Sequence, residues 1–457
     1  MKDNIWKKYS DEDITKLNEI CDEYRKFISE SKIEREVTRN SIKIAEEYGF
    51  INLDKYINEG RNLYPGAKVY VNNRNKSLAL FVIGREDITK GINILGAHVD
   101  SPRLDLKASP LYEDTDFAYL DTHYYGGIKK YQWVTLPLAL HGVIAKKNGD
   151  VINVIIGEDE SDPVIGITDL LPHLGAEQMK KEASKVVEGE KLDVLIGSMP
   201  NDEEENAVKN NILTILKNKY DIEEEDFLSA EIEVVPAGKA RDFGLDRSMV
   251  MAYGQDDKVC AYTSLRAFLD VTDVNRTISC ILVDKEEIGS VGSTGMRSNF
   301  YENAIAEICS LLGHNEVTAL PRTLKNSFML SSDVNAAYDP LYSDVMDKRS
   351  SSYFNNGVVF CKYTGSRGKA GSNDADAEYI AKLRKIMDDN NVYFQISELG
   401  KVDAGGGGTI AYILANKSVN VIDCGVGVLS MHAPWEVTAK ADIYEAYKCY
   451  VAFLKEA

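Results

Sequence analysis

Positive charge is scarce in this 457-residue chain: 53 Lys and Arg face 72 Asp and Glu, a formal charge of -19. Phosphate backbones are held by clustered Lys and Arg, so the shortage argues against nucleic acid as a partner. The same field repels acidic peptides at long range, and any preference for them needs a local Lys or Arg. Long apolar runs are also missing. No stretch approaches the ~18 apolar residues of a membrane span, which argues against a membrane partner. The start, Met1-Lys-Asp-Asn-Ile-Trp-Lys-Lys8, has no apolar secretory core, so the expected location is cytoplasmic. Cysteine is sparse: the seven residues (21, 260, 280, 309, 361, 424 and 449) are far apart with no Cys-x-x-Cys pair. That excludes a zinc knuckle or redox motif and predicts buried reduced thiols.

What is present is a large globular core. At 44% hydrophobic content the length suggests two or three domains. Residues 11 to 50 read as helical, with Ser31-Lys-Ile-Glu34 as a capping box and Val37, Ile42, Ala45 and Tyr48 near helical spacing. Lys68-Val-Tyr-Val71 and Ser77 to Ile83 predict a hairpin leading to the strand Gly91-Ile-Asn-Ile-Leu95. Between 106 and 240 the character changes, with β-type segments at 134–140 and 151–156 beside acidic runs at 202–205 and 223–226 that read as solvated surface. After 240, strands alternate with helical patterns, among them Val259, Tyr262, Leu265 and Leu269 behind Asp256-Asp257, where Asp257 reads as a carboxylate favoured at a helix N-terminus. Such alternation predicts an α/β fold with a mainly parallel, covered central sheet, and ligands gather beyond the carboxyl ends of such strands. The expected domains are 1–105 and 241–457 as two parts of one catalytic domain, and 106–240 as an insert.

Five metal-type side chains stand at or beside the ends of apolar runs: His98, Asp256, Glu287, Asp333 and His432. Imidazole nitrogen and carboxylate oxygen suit zinc, and a carboxylate can bridge two ions. Two ions would activate a water, polarise a carbonyl and stabilise a tetrahedral intermediate. The base falls to Glu286 or Glu287, adjacent in a loop that turns neighbours apart. Asp100, two residues past His98, is placed to hydrogen-bond that imidazole. His123, His141 and His314 stand outside any such motif and read as ordinary histidines. Gly405-Gly-Gly-Gly408 reads as a short loop, flexible or closely approached by ligand.

These segments carry a family resemblance. His98-Val-Asp100-Ser-Pro-Arg103, Gly254-Gln-Asp256-Asp-Lys258, Asp284-Lys-Glu286-Glu287-Ile-Gly-Ser290, Ser331-Ser-Asp333-Val-Asn335 and Met431-His432 resemble the aspartyl aminopeptidase family of dinuclear zinc metallopeptidases, from about residue 30 to the C-terminus. The resemblance implies a three-layer catalytic domain with an inserted β-rich dimerisation domain. It implies Asp256 as the bridge, His98, Glu287, Asp333 and His432 as the other ligands, Glu286 as base and Asp100 as support for His98. Two divalent ions per subunit are implied, zinc foremost, with cobalt and manganese as alternatives. It also implies a homododecamer built from dimers, in which His173 of Leu170-Leu-Pro-His173-Leu reaches a neighbouring subunit's site. Lys362 falls at the approximate position of a substrate-contacting lysine, with Arg367 and Lys369 as nearby alternatives. Segments 363–369 and 433–435 differ from members typed for acidic N-terminal residues, which leaves the acidic preference open. The leading expectation is a metalloaminopeptidase acting on peptides with a free N-terminus. A deacylase of N-acyl amino acids and a non-catalytic self-assembling binding protein are the alternatives.

Overall fold

The computed structural model describes residues 4–365 and 367–457. Met1–Asp3 and Ser366, which fall in the amino-terminal and 363–369 segments read above, lie outside the described residues. The chain forms two compact units. One comprises the residues up to Asp100, Ala240–Met431 and Glu436–Ala457; the other comprises Ser101–Lys239 and His432–Trp435.

In the first unit the stretch expected to be helical is two helices, Asp11–Ser29 and Glu34–Glu47. Ser10 caps the first, accepting from Asp13 N–H at 3.2 Å while Asp13 Oδ2 accepts from Ser10 N–H at 2.9 Å. The second is capped two residues later than expected. Glu36, not Glu34, reaches back to the N–H groups of Lys32 (2.9 Å) and Ile33 (3.4 Å), while the Ser31 hydroxyl accepts from Asn40 Nδ2 at 2.9 Å. The hairpin pairs Lys68–Asn73 with Ser77–Val82. Arg74 and Asn75, at φ 57° and 58°, supply the left-handed turn such a hairpin needs.

The nine-stranded sheet of this unit runs in the order Ile51–Asn52, Lys68–Asn73, Ser77–Val82, Thr277–Val283, Ile92–His98, Phe328–Ser331, Asn420–Gly425, Val358–Cys361, Phe394–Ser397. Its central four strands are parallel, so the four chain segments that follow them leave at the same edge. Antiparallel neighbours flank them: Ser77–Val82 on one side, Val358–Cys361 on the other. The fold is α/β, with a mixed sheet. Alternate side chains enter two cores, Leu95 and Ala97 with Phe268 and Phe453, Ile92 and Ile94 with Ile305 and Leu414. Burial on both faces is why these strands read as unbroken apolar runs. A five-stranded sheet, including Met249–Ala252 and Glu436–Ala439, supports the turn that follows Ala252.

The second unit holds a six-stranded sheet in which every pairing is antiparallel, and the helix Ala207–Tyr220. It begins at Ser101, not 106, because Arg103–Asp114 is a strand of its sheet. It also takes in His432–Trp435, which the sequence places with the catalytic part. The β-type segment at 134–140 becomes strand only from Leu138, since Pro137 has no N–H to donate. The acidic side chains at 202–205 and 223–225 are exposed. Among the described residues no helix is long and apolar enough to cross a membrane. All seven cysteines are buried free thiols.

Candidate metal centre

Strand ends build the site in the first unit. His98 closes Ile92–His98 and is 1% exposed. Its Nε2 lies 3.2 Å from Asp256 Oδ1, its Nδ1 lies 3.0 Å from the Asp100 carbonyl oxygen, and its N–H donates to Asp257 Oδ2 at 3.2 Å. Asp256 and Asp257, joined by a cis peptide, precede the regular part of the helix that runs to Asp270. Asp257 thus stands in the first turn of that helix and is at the same time a buried partner of the His98 backbone.

Asp100, wholly buried, does more than face the imidazole, where its Oδ1 is 3.4 Å from His98 Nδ1. Its two oxygens accept the N–H groups of Glu286 and Glu287, each at 3.1 Å. Those glutamates open the turn Glu286–Ile288 directly after Thr277–Val283, behind Lys285 in the left-handed region. Asp333 follows Phe328–Ser331.

The ligand atoms of His98, Asp256 and Asp333 lie within 4.8 Å of one another, and so do those of His98, Glu286 and Glu287. Burial and then the charge of His98 and Asp256 act on Asp257, whose pKa is raised well above the carboxylate range. Asp333 is raised likewise by burial and by Asp257. Burial opposes protonation of His98, but hydrogen bonds to Asp100 and Asp256 outweigh it and raise its pKa well above the usual value. One imidazole among so many carboxylates is a surplus of negative charge that a divalent cation would neutralise, and the nitrogen and oxygen donors suit zinc. The residues present fit such an ion.

His432 belongs to the second unit, in the left-handed region at φ 64°, with Nδ1 2.9 Å from the Gly127 carbonyl oxygen. His173, also there, is exposed beside the exposed Leu170, Leu171 and Leu174. Lys362 directly follows the strand Val358–Cys361, which runs antiparallel to Asn420–Gly425. Its ammonium lies 2.5 Å from Asp374 Oδ1, and Lys369, the alternative, lies 2.8 Å from Asp374 Oδ2 and 3.8 Å from the Tyr363 ring centre. Arg367 is exposed. His123 Nδ1 meets the Tyr124 carbonyl oxygen at 2.8 Å, His141 Nε2 meets Glu158 at 3.2 Å, and His314 lies between Asp87 and Glu316, each 3.4 Å away.

Three further residues adjoin the site, and the sequence reading gave none of them a role. Glu436 Oε2 accepts the N–H of Asp256 at 3.0 Å, and Gln255 is wholly buried beside it. Asp284 is held by Thr294 Oγ1 at 2.6 Å, its pKa pushed up to about 7 by burial and by Glu34 and Asp100.

The family model described as aminopeptidase I zinc metalloprotease (M18) matches residues 27–454. A probable M18 family aminopeptidase 1 of Clostridium acetobutylicum is 59% identical over 453 residues, covering 99% of this chain and 97% of the relative. The crystal structure of aminopeptidase I from Clostridium acetobutylicum is similar with a TM-score of 0.93 at 57% identity, covering 100% of both chains. That of an M18 family aminopeptidase from Thermotoga maritima is similar with a TM-score of 0.95 at 43% identity, again covering 100% of both. With its strand-end donors and a family match over nearly its whole length, this chain belongs to the M18 family of zinc metalloaminopeptidases.

Proposed function

We propose that the protein removes single residues from the free N-terminus of peptides at a dinuclear centre. Asp256 would bridge the ions, with His98, Glu287, Asp333 and His432 completing their coordination. The observation that carries this reading is the convergence of His98, Asp256, Asp333, Glu286 and Glu287 at one sheet edge. Two divalent ions, zinc foremost, would supply the activated water and the polarised carbonyl. The Gly127 carbonyl, facing His432 Nδ1, leaves Nε2 of that ring as the donor toward an ion. Glu286 takes the proton from the attacking water and returns it to the departing amine. Asp100 holds the backbone of Glu286 and Glu287, keeping base and ligand in one arrangement. The carboxylates favour the positive charge of the substrate's α-amine.

The first unit is read as the three-layer catalytic domain and the second as the dimerising one, within a homododecamer. His173, exposed on its apolar segment, is the candidate to complete a neighbouring subunit's site. An acidic N-terminal preference would rest on a local cation, Lys362 or its neighbours Arg367 and Lys369; Lys362 and Lys369 share the one carboxylate of Asp374. The test of the core reading is Glu286→Gln: zinc content is retained while hydrolysis of aminoacyl substrates falls by orders of magnitude, and unchanged turnover refutes the base. Activity confined to N-acyl amides would instead identify a deacylase.

A further inference from the structure

The turn that presents Asp256 is held from behind by two buried polar side chains. Gln255 makes four hydrogen bonds. Its Oε1 accepts from Tyr24 Oη at 3.1 Å and Thr438 Oγ1 at 2.6 Å. Its Nε2 donates to the carbonyls of Val250 at 3.1 Å and Glu436 at 2.7 Å. Every donor and acceptor of the amide is thereby used, which fixes both its rotamer and the backbone at residue 255. The strand Met249–Ala252, the strand Glu436–Ala439 and the helix Asp11–Ser29 all contribute.

The next residue is treated differently. Asp256 N–H donates to the Glu436 carboxylate at 3.0 Å, and Glu436 is 1% exposed. Placing an acid in that position is costly unless it is compensated, and a neutral acceptor would satisfy one N–H equally well. Glu436 thus binds the backbone of a metal-type carboxylate that is itself buried. The peptide N–H it holds sets the plane from which the Asp256 side chain departs, and that departure decides where Oδ1 stands relative to His98 Nε2.

We infer that Glu436 is a positioning residue for Asp256, acting through the Asp256 N–H to orient the carboxylate that faces the metals, with Gln255 locking the preceding residue. This rests on the metal-site reading above. Groups that orient a ligand are commonly worth 10- to 100-fold in metal affinity. The experiment compares zinc affinity, by titration against a competing chelator, for the wild-type assembly and for Glu436→Gln, Glu436→Asp and Glu436→Leu. The melting temperature of each metal-free protein is recorded alongside. Gln keeps an acceptor at the same reach and is expected to bind zinc within about threefold of wild type. Asp withdraws the acceptor by one methylene and Leu removes it, and each is expected to weaken zinc binding about tenfold or more.

The metal-free melting temperature of Glu436→Asp should follow that of Glu436→Gln, so lost affinity is separated from lost folding. If Leu prevents folding, the Asp and Gln pair alone decides the matter. Wild-type zinc affinity in Glu436→Asp, or equal weakening in Asp and Gln, overturns the inference. Failure of the wild type itself to bind zinc would sink the metal-site reading instead.

Discussion

Replacing Asp100 by Asn tests how the loop bearing the base is held. The wholly buried carboxylate accepts two backbone N–H groups, from Glu286 and Glu287, both at 3.1 Å and both partly buried. Asn is nearly the same shape but keeps only one oxygen. Its amide nitrogen must then face the other N–H, donor against donor. Hydrogen bonds to a charged group are worth roughly 1.5–3 kcal/mol, and a buried donor left without an acceptor costs about the same. Near 1.4 kcal/mol per factor of ten, the turn should lose roughly 10- to 150-fold of its preference for the arrangement that presents both glutamates. The loss should fall on zinc affinity and on kcat together, because Glu287 is proposed to ligate and Glu286 to carry the proton. Binding should weaken without being abolished, since neither glutamate has been removed. Zinc titration with a competing chelator, steady-state kinetics on an aminoacyl substrate and the metal-free melting temperature provide the readouts. An Asp100→Asn protein within twofold of wild type in both zinc affinity and kcat/KM would refute the reasoning.

Stability should also depend on pH through Asp442, which accepts the N–H groups of Asn355 and Gly357 at 2.8 Å each and whose pKa burial pushes up to about 7. An unfolded aspartate titrates near ~4, so between ~4 and about 7 the folded state holds more protons and this contribution declines as pH rises, flat above. Asp442→Asn should flatten that part of the melting-temperature profile, and an unchanged slope would contradict it. Removing metal with a chelator should abolish hydrolysis and lower the melting temperature, because an ion that binds only the folded state stabilises it by mass action. Zinc should restore both, and activity surviving complete metal removal would rule out the mechanism.

Residues that act through their side-chain type at a strand end were legible. A sheet covered on both faces produces apolar runs, and where such a run stops at His98 or just before Glu286-Glu287 and Asp333, the polar residues stand out. The direction of a strand was not legible. Val358–Cys361 is as apolar as its neighbours, yet it runs the other way, and the Lys362 that follows it pairs with Asp374. Nor does a short segment declare which unit it packs in. His432 is separated by 305 residues from the Gly127 carbonyl that its ring meets.

Backbone recipients are the hardest case. Asp100 reads naturally as a partner for the histidine two residues before it, and its carbonyl does meet that ring. Its carboxylate, however, spends both oxygens on N–H groups 186 and 187 residues away, as Glu436 spends one on an N–H 180 residues away. Every non-proline residue carries the same N–H, so the partner leaves no trace in composition or spacing. What remains visible is only the cost: an acid placed where burial penalises its charge must be repaid by donors nearby. Candidate ligands can thus be proposed from their chemistry. The groups that aim them become visible only once the chain is folded and each buried acid has been matched to the backbone it holds.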